Sequence, residues 1–245
     1  MRSIFARFGY YTGLAALLAC GRPPAATAVA PTAPFATPSA PTPSSTMQLP
    51  PIVQAGTPVL RSRAEEVPAS RIATPEIQEL IKTMIATMRA APGVGLAAPQ
   101  IGVPWRVIVL EDREELLGKL TPPERAERER TPFTTRVFIN PVLRLLPSEG
   151  SEPPMFFEGC LSVKGYVGLV ERSREVEVTG LDEHGAKQTW RAKGWPARIL
   201  QHEVDHLEGT LYIDRMKTRS FANADEAKAR FGGKPIAEVR RMLGL

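Results

Sequence analysis

After Thr74 the apolar residues recur at helical spacing. Ile77, Leu80, Ile81, Met84, Ile85 and Met88 fall on one face, with mostly polar residues between them. Thr74 and Pro75 suit the cap and first turn of this helix, and Pro92 with Gly93 closes the pattern. The stripe predicts a core-packing face. The period then changes. RVIVL (106–110), RVFIN (136–140) and VEVTGL (176–181) are short β-rich runs, parted by turn signals such as Asp182-Glu183-His184-Gly185. His184 in that turn is expected to be a solvated surface residue. A last helical pattern lies in GWPARILQHEVDHLEG, where Pro196 suits the first turn and Gly209 the end. Ile199, Leu200, Val204 and Leu207 surround two histidines and a glutamate there, which predicts a helix buried in the core. Strands separated by turns, with helices at either end, argue for an α+β fold rather than alternating α/β. The charged stretch 111–130, with two prolines, reads as an exposed insertion.

Composition changes the picture mainly at the N-terminus. Residues 22–45 are almost entirely Pro, Ala, Thr and Ser, which build no packed core. Arg2, Arg7 and Arg22 are basic, and no acidic residue precedes Glu65. GLAALLA is too short to span a membrane. The organisation expected is therefore a leader and linker over 1–48, a catalytic domain over 49–221, and a basic helical extension over 222–245. The leader has three readings: an organelle transit peptide, a lipoprotein signal with Cys20 lipidated, or a segment upstream of a true start at Met47.

Chemistry enters with His202, Glu203 and His206. Histidines four apart on a helix point the same way, one turn apart, so one ion can take both. A glutamate beside the first can handle the protons of an attacking water. The pattern is that of a hydrolytic metalloenzyme needing a third protein ligand. The extended form HExxHxxGxxH fails, because Tyr212 stands where its third histidine would be. Glu226 is at the distance another group of enzymes uses, but NADEAKAR reads as a solvated helix. Cys160, in FFEGCLSVKGY, remains. It can be a buried small hydrophobe or a thiolate ligand, and a Cys-His-His set suits zinc or ferrous iron. A disulfide is disfavoured, since the one other cysteine is Cys20 in the leader. Cys160 lies some forty residues before His202, so spacing does not decide. GVGLAA fits the loose dinucleotide pattern GxGxxA, but it follows a helix and runs toward a strand, opposite to that motif's context.

Three ordered segments carry a resemblance. Gly93-Val94-Gly95-Leu96-Ala97-Ala98-Pro99-Gln100, Glu158-Gly159-Cys160-Leu161-Ser162 and His202-Glu203-Val204-Asp205-His206 resemble the motifs of peptide deformylases, most closely the type of plant organelles and some bacteria. The likeness covers about 49–221 and departs at no motif position. It implies antiparallel β-sheets packed around a central metal-binding helix. It also implies removal of the formyl group from N-formyl-Met nascent peptides, with release of formate. Cys160, His202 and His206 would be the ligands of one divalent ion, physiologically Fe2+, with Zn2+, Ni2+ or Co2+ able to replace it. Glu203 would move protons. Gln100 and the backbone N–H of Leu161 would face the oxyanion, and Gly95 and Leu96 would line the substrate groove. An iron–thiolate site is expected to lose activity in air and to keep it with nickel. The competing readings are a zinc peptidase and a tethered relative without activity.

Formylated chains exist where translation occurs. That favours an intracellular, cytoplasmic protein, then a mitochondrion or plastid, then lipoprotein export. Net charge is +5, and residues 215–245 hold eight basic and three acidic residues. This tail can either touch ribosomal RNA through phosphates or pack on its own domain, its amphipathic helix formed by Ile236, Val239, Met242 and Leu243.

Overall fold

The computed structural model describes residues 48–91, 93–118, 120–147 and 153–245; Pro92 and residues 1–47, with Cys20 and Met47, lie outside them. In chain order the elements are helices α1 (Ala69–Ile72) and α2 (Pro75–Ala90), strands β1 (Gly95–Ala97) and β2 (Val107–Asp112), and helices α3 (Glu114–Leu117) and α4 (Pro122–Glu127). Strands β3 (Phe133–Leu145), β4 (Met155–Cys160), β5 (Val163–Glu171), β6 (Glu175–Leu181) and β7 (Lys187–Lys193) follow. The chain then forms helix α5 (Trp195–Leu207), strand β8 (Ala222–Asn223) and helices α6 (Ala224–Phe231) and α7 (Ile236–Leu243).

Strand β2 shows how the core is divided. Alternate strand residues face opposite ways, and here both faces are buried. Val107 and Val109 pack with the α2 stripe of Ile77, Ile81, Met84 and Met88. Ile108 and Leu110 pack with Ala197, Ile199, Leu200 and Leu207 of α5. Each such buried side chain contributes roughly 1.5–3 kcal/mol. This two-sided cover is why RVIVL is apolar throughout rather than alternating.

The strands form two antiparallel sheets, ordered β1-β2-β3-β6-β7 and β4-β5-β8. The β4–β5 hairpin therefore leaves the first sheet between β3 and β6, which pair directly with each other. The α+β expectation holds, with α5 buried between its neighbours.

Several local expectations change. Thr74 occupies the cap of α2, but its hydroxyl donates to Arg71 O and makes no cap bond. Within GVGLAA, Gly95, Leu96 and Ala97 form the edge strand β1. The stretch 111–130 is only partly exposed. It folds into α3 and α4, and its first two residues are buried with their charges paired, Glu111 with Arg89 and Asp112 with Arg130. At the C-terminus β8 pairs with β5, and Val239 of α7 is buried against Met155 and Leu169. The tail helix thus packs on its own domain. His184 is solvated, as expected, with its side chain 79% exposed.

Candidate metal centre

Helix α5 follows Gly194, has Pro196 in its first turn, and ends before Gly209, whose φ of +71° turns the chain away. The helix buries Arg198, Gln201, Glu203, Asp205 and His206 as well as its apolar residues. One ligand atom each from Cys160, His202 and His206 lie within 4.8 Å of one another, with Cys160 brought in at the end of β4. This is the one such cluster of three among the described residues. Tyr212 is not part of it. That side chain is buried, its ring stacks near His202 at 6.4 Å, and its hydroxyl donates to Tyr166 O at 2.9 Å. Glu226 is exposed on α6, outside the cluster.

His202 is held from behind by a buried charge network. Glu158 accepts both Nε and Nη2 of Arg172, at 3.0 and 2.9 Å, and an N–H of Arg198 at 3.2 Å. His202 Nδ1 lies 3.1 Å from the same carboxylate, so a proton on Nδ1 leaves Nε2 free for an ion. Arg172 also reaches Asp205 at 2.6 Å, and Arg215 closes on Asp205 from the far side with two bonds of 2.7 Å. Burial disfavours ionised Glu158, yet its bonds from His202 and Arg172 hold its pKa well below the usual carboxylate range. Backbone N–H of Ser162 points to Cys160 Sγ at 3.4 Å.

Glu203 stands apart from this network. It is 4% exposed, and its Oε2 has no hydrogen-bond partner among the described residues. Burial raises its pKa to about 7, against the opposing pull of His202. A carboxyl so placed can both take and return a proton near neutrality. Gly95 makes room for it, because a Cβ there would lie 2.3 Å from Glu203 Oε1. The Gln100 amide is oriented by its own 3-10 turn. Oε1 accepts Ala97 N–H at 2.8 Å, leaving Nε2 to donate to Cys160 Sγ at 3.5 Å.

These residues open into a cavity of about 570 Å³, whose walls include Gly95, Gln100, Cys160, Leu161, His202 and Glu203. Leu161 is anchored through its carbonyl, which accepts from Gln54 Nε2 at 3.0 Å. His206 lies deeper, at 1% exposure. Leu96 departs from expectation: its side chain is fully buried in the α2 cluster and does not line the cavity, because it points away from the side Gly95 faces. Sequence reasoning did not single out Glu158, Arg172 or Asp205 as parts of the site. Glu158 and Asp205 lie inside the quoted motifs, which was the available signal; Arg172 gave none.

Residues 49–222 match the family model described as polypeptide deformylase. The chain is 49% identical to peptide deformylase 1A, chloroplastic, of Solanum lycopersicum, over 72% of this chain and 63% of that protein. It is 50% identical to peptide deformylase 1A, chloroplastic/mitochondrial, of Arabidopsis thaliana, over 81% of this chain and 71% of that one. A class I type b peptide deformylase from Acinetobacter baumannii, solved with Met-Ala-Ser bound, superposes with a TM-score of 0.58 at 34% identity, covering 69% of this chain and 99% of the other.

Proposed function

The chain belongs to the polypeptide deformylase family, and we propose that its Cys160, His202 and His206 centre is where it removes the formyl group from N-formyl-Met nascent peptides. Family members are metal-dependent hydrolases that act on the N-formyl group of new polypeptides. The observation that carries the site reading is the meeting of three ligand atoms within 4.8 Å at the cavity, beside a buried carboxyl with an unpartnered oxygen.

One thiolate and two imidazoles fit a tetrahedral-type catalytic site with a position open to substrate. A divalent ion held there supplies the Lewis acidity that makes water a nucleophile near neutral pH. Glu203 takes the proton of the attacking water and delivers it to the departing amine, which then carries the N-terminus of the peptide. The amide NH2 of Gln100 and the backbone N–H of Leu161 donate to the formyl oxygen as it gains negative charge. Glu158 keeps His202 in the tautomer that leaves Nε2 available. The edge of β1 at Gly95 and Leu96 offers main-chain groups to an extended peptide, while the apolar lining of the cavity, which includes Leu116, Leu120, Trp195 and Ile199, receives the methionine side chain. Met-Ala-Ser in the Acinetobacter baumannii relative supports a peptide ligand of this kind.

Ferrous iron is the proposed ion, with zinc, nickel or cobalt as substitutes, since the ligand types suit all four. Elemental analysis of anaerobically purified protein identifies it. An aerobic iron form as stable and active as a nickel form would remove the iron assignment. We assign residues 1–48 to a leader and linker and place the enzyme where translation occurs. The plant relatives bear organelle names, and mass spectrometry of the mature N-terminus separates the cytoplasmic, organelle and lipidated alternatives. No helix among the described residues is long and apolar enough to cross a membrane. Ribosome contact through the basic residues of 215–245 is proposed only for their exposed charges; unchanged ribosome association after neutralising them would remove it.

Formate release from formyl-Met-Ala-Ser, with the Met–Ala bond left intact, tests the central reading. Cleavage of that bond would instead make the chain a peptidase, and no turnover with any metal would leave it a relative without activity.

A further inference from the structure

Leu120, just before α4, and Arg130, just after it, both line the cavity, yet α4 itself buries none of its residues. The chain past the helix is anchored on the body of the domain. Arg130 donates two bonds of 2.8 Å to Asp112 and lies 4.5 Å from the Trp195 ring centroid. Glu129 accepts from Arg174 at 2.6 Å and fills the space that a Cβ on Gly194 would need. The helix proper is held instead by the C-terminal segment. Glu127 accepts the backbone N–H of Ile236, the first residue of α7, at 2.9 Å, where a carboxylate also suits the positive end of a helix. Bonds from Thr121 hold the Glu124 carboxyl below its ordinary range, and the N–H of Gly233 adds a smaller one. Both tail donors lie in the turn between α6 and α7.

The same turn is fixed on its other side to the β4–β5 hairpin. Phe231, the last residue of α6, stacks on Phe157 with centroids 5.5 Å apart and planes 23° from parallel, and Phe157 is itself a cavity wall. Val239 of α7 is buried with Met155 and Leu169, with Ile236 and Leu243 packed around it. Gly233, at φ +74° with open space where a Cβ would be, lets the chain reverse between the two attachments. Two walls of the cavity, one flanking α4 and one on β4, are thus joined through residues that do not line it. We propose that residues 231–236 are a strap that sets the separation of these walls. Glu127 and Phe231 are its positioning residues, and they act through it on the space for the methionine side chain. This rests on the deformylase reading and deepens it. With the strap released, α4 has no buried side chain to keep it in place, so the wall between Leu120 and Arg130 opens more often. A long side chain then loses grip, whereas a short one touches less of that wall and loses less.

Hydrogen exchange of the backbone amides of residues 124–130 and formate release are to be measured together on the metal-loaded full chain and on Glu127→Ala, Glu127→Gln and Phe231→Ala. Glu127 is exposed, so its variants should fold and melt as the parent does. Glu127→Ala and Phe231→Ala should each speed exchange by about three- to tenfold, as expected for one lost hydrogen bond or ring contact. Glu127→Gln keeps an acceptor oxygen and should stay near the parent. KM for formyl-Met-Ala-Ser should rise by about three- to tenfold in the two alanine variants, with kcat within about twofold. KM for formyl-Ala-Ala-Ser should change less, so the preference for methionine over alanine falls. Unchanged exchange in both alanine variants overturns the strap. Faster exchange with an unchanged preference overturns its action on the cavity, as does a loss shared equally by both peptides. Absence of formate release from the parent sinks the deformylase reading, while the exchange rates still decide whether the strap holds α4.

Discussion

Helices α2 and α5 cover opposite faces of the same sheet, and they bury opposite kinds of residue. Helix α2 hides a stripe of isoleucines and methionines and turns its charges outward. Helix α5 hides an arginine, a glutamine, a glutamate, an aspartate and a histidine among its apolar side chains. The first is what folding alone asks of a helix. The second carries desolvation costs that folding would avoid, and it offsets them with a chain of paired charges through Glu158, Arg172, Asp205 and Arg215. Glu203 stays outside that pairing with an unpartnered Oε2, as the proton-exchanging role proposed for it requires.

The contrast predicts that the two helices fail differently. Glu203→Ala should lower kcat by about 10²- to 10⁴-fold while metal content per chain, by elemental analysis, stays the same. Full activity would remove Glu203 from the chemistry. Arg172→Met leaves two buried carboxylates short of a partner and should cost about 3–5 kcal/mol in urea unfolding, with weaker metal retention on dialysis. An unchanged unfolding midpoint would mean that Arg198, Arg215 and His202 suffice to hold Glu158 and Asp205. On the other helix, Met84→Ala should cost about 2–5 kcal/mol of stability yet leave kcat per folded molecule unaltered. A selective fall in kcat there would erase the division of labour between the helices.

The smallest effect concerns pH. The hydrogen bond from Arg89 lowers the Glu111 pKa, helped by Thr135 and opposed by burial. A carboxylate with a depressed folded pKa adds stability above its unfolded pKa and loses it as pH falls through the folded value. Melting temperature should therefore drop less steeply in Glu111→Gln than in the parent between about pH 5 and pH 3. Parallel curves would show that the Arg89–Glu111 pair adds nothing to acid stability.

Periodicity made α2 and its burial readable, and four-residue spacing made the two histidines and their glutamate readable. Cys160 was beyond spacing and needed the resemblance of three ordered motifs, since a turn of sheet rather than a turn of helix brings it to the histidines. Arg172 and Asp205 were opaque because charged residues ordinarily read as surface, and only a tertiary structure shows that they face each other indoors. The stretch 111–130 misled for the same reason. GVGLAA was judged by what a peptide would need. The nearer cause at Gly95 is intramolecular, a space for Glu203 that no local pattern records.

The two sheets share no strand, and the cluster draws its sulfur from one and its nitrogens from the helix lying on the other. An ion held by the proposed ligands would act as a rivet between the helix on one sheet and the strand of the other. Because it would bind the assembled arrangement and not the parted one, loading it would multiply the folding equilibrium constant by one plus its concentration over its dissociation constant. Metal supply would then govern how long the folded chain lasts as well as how fast it works.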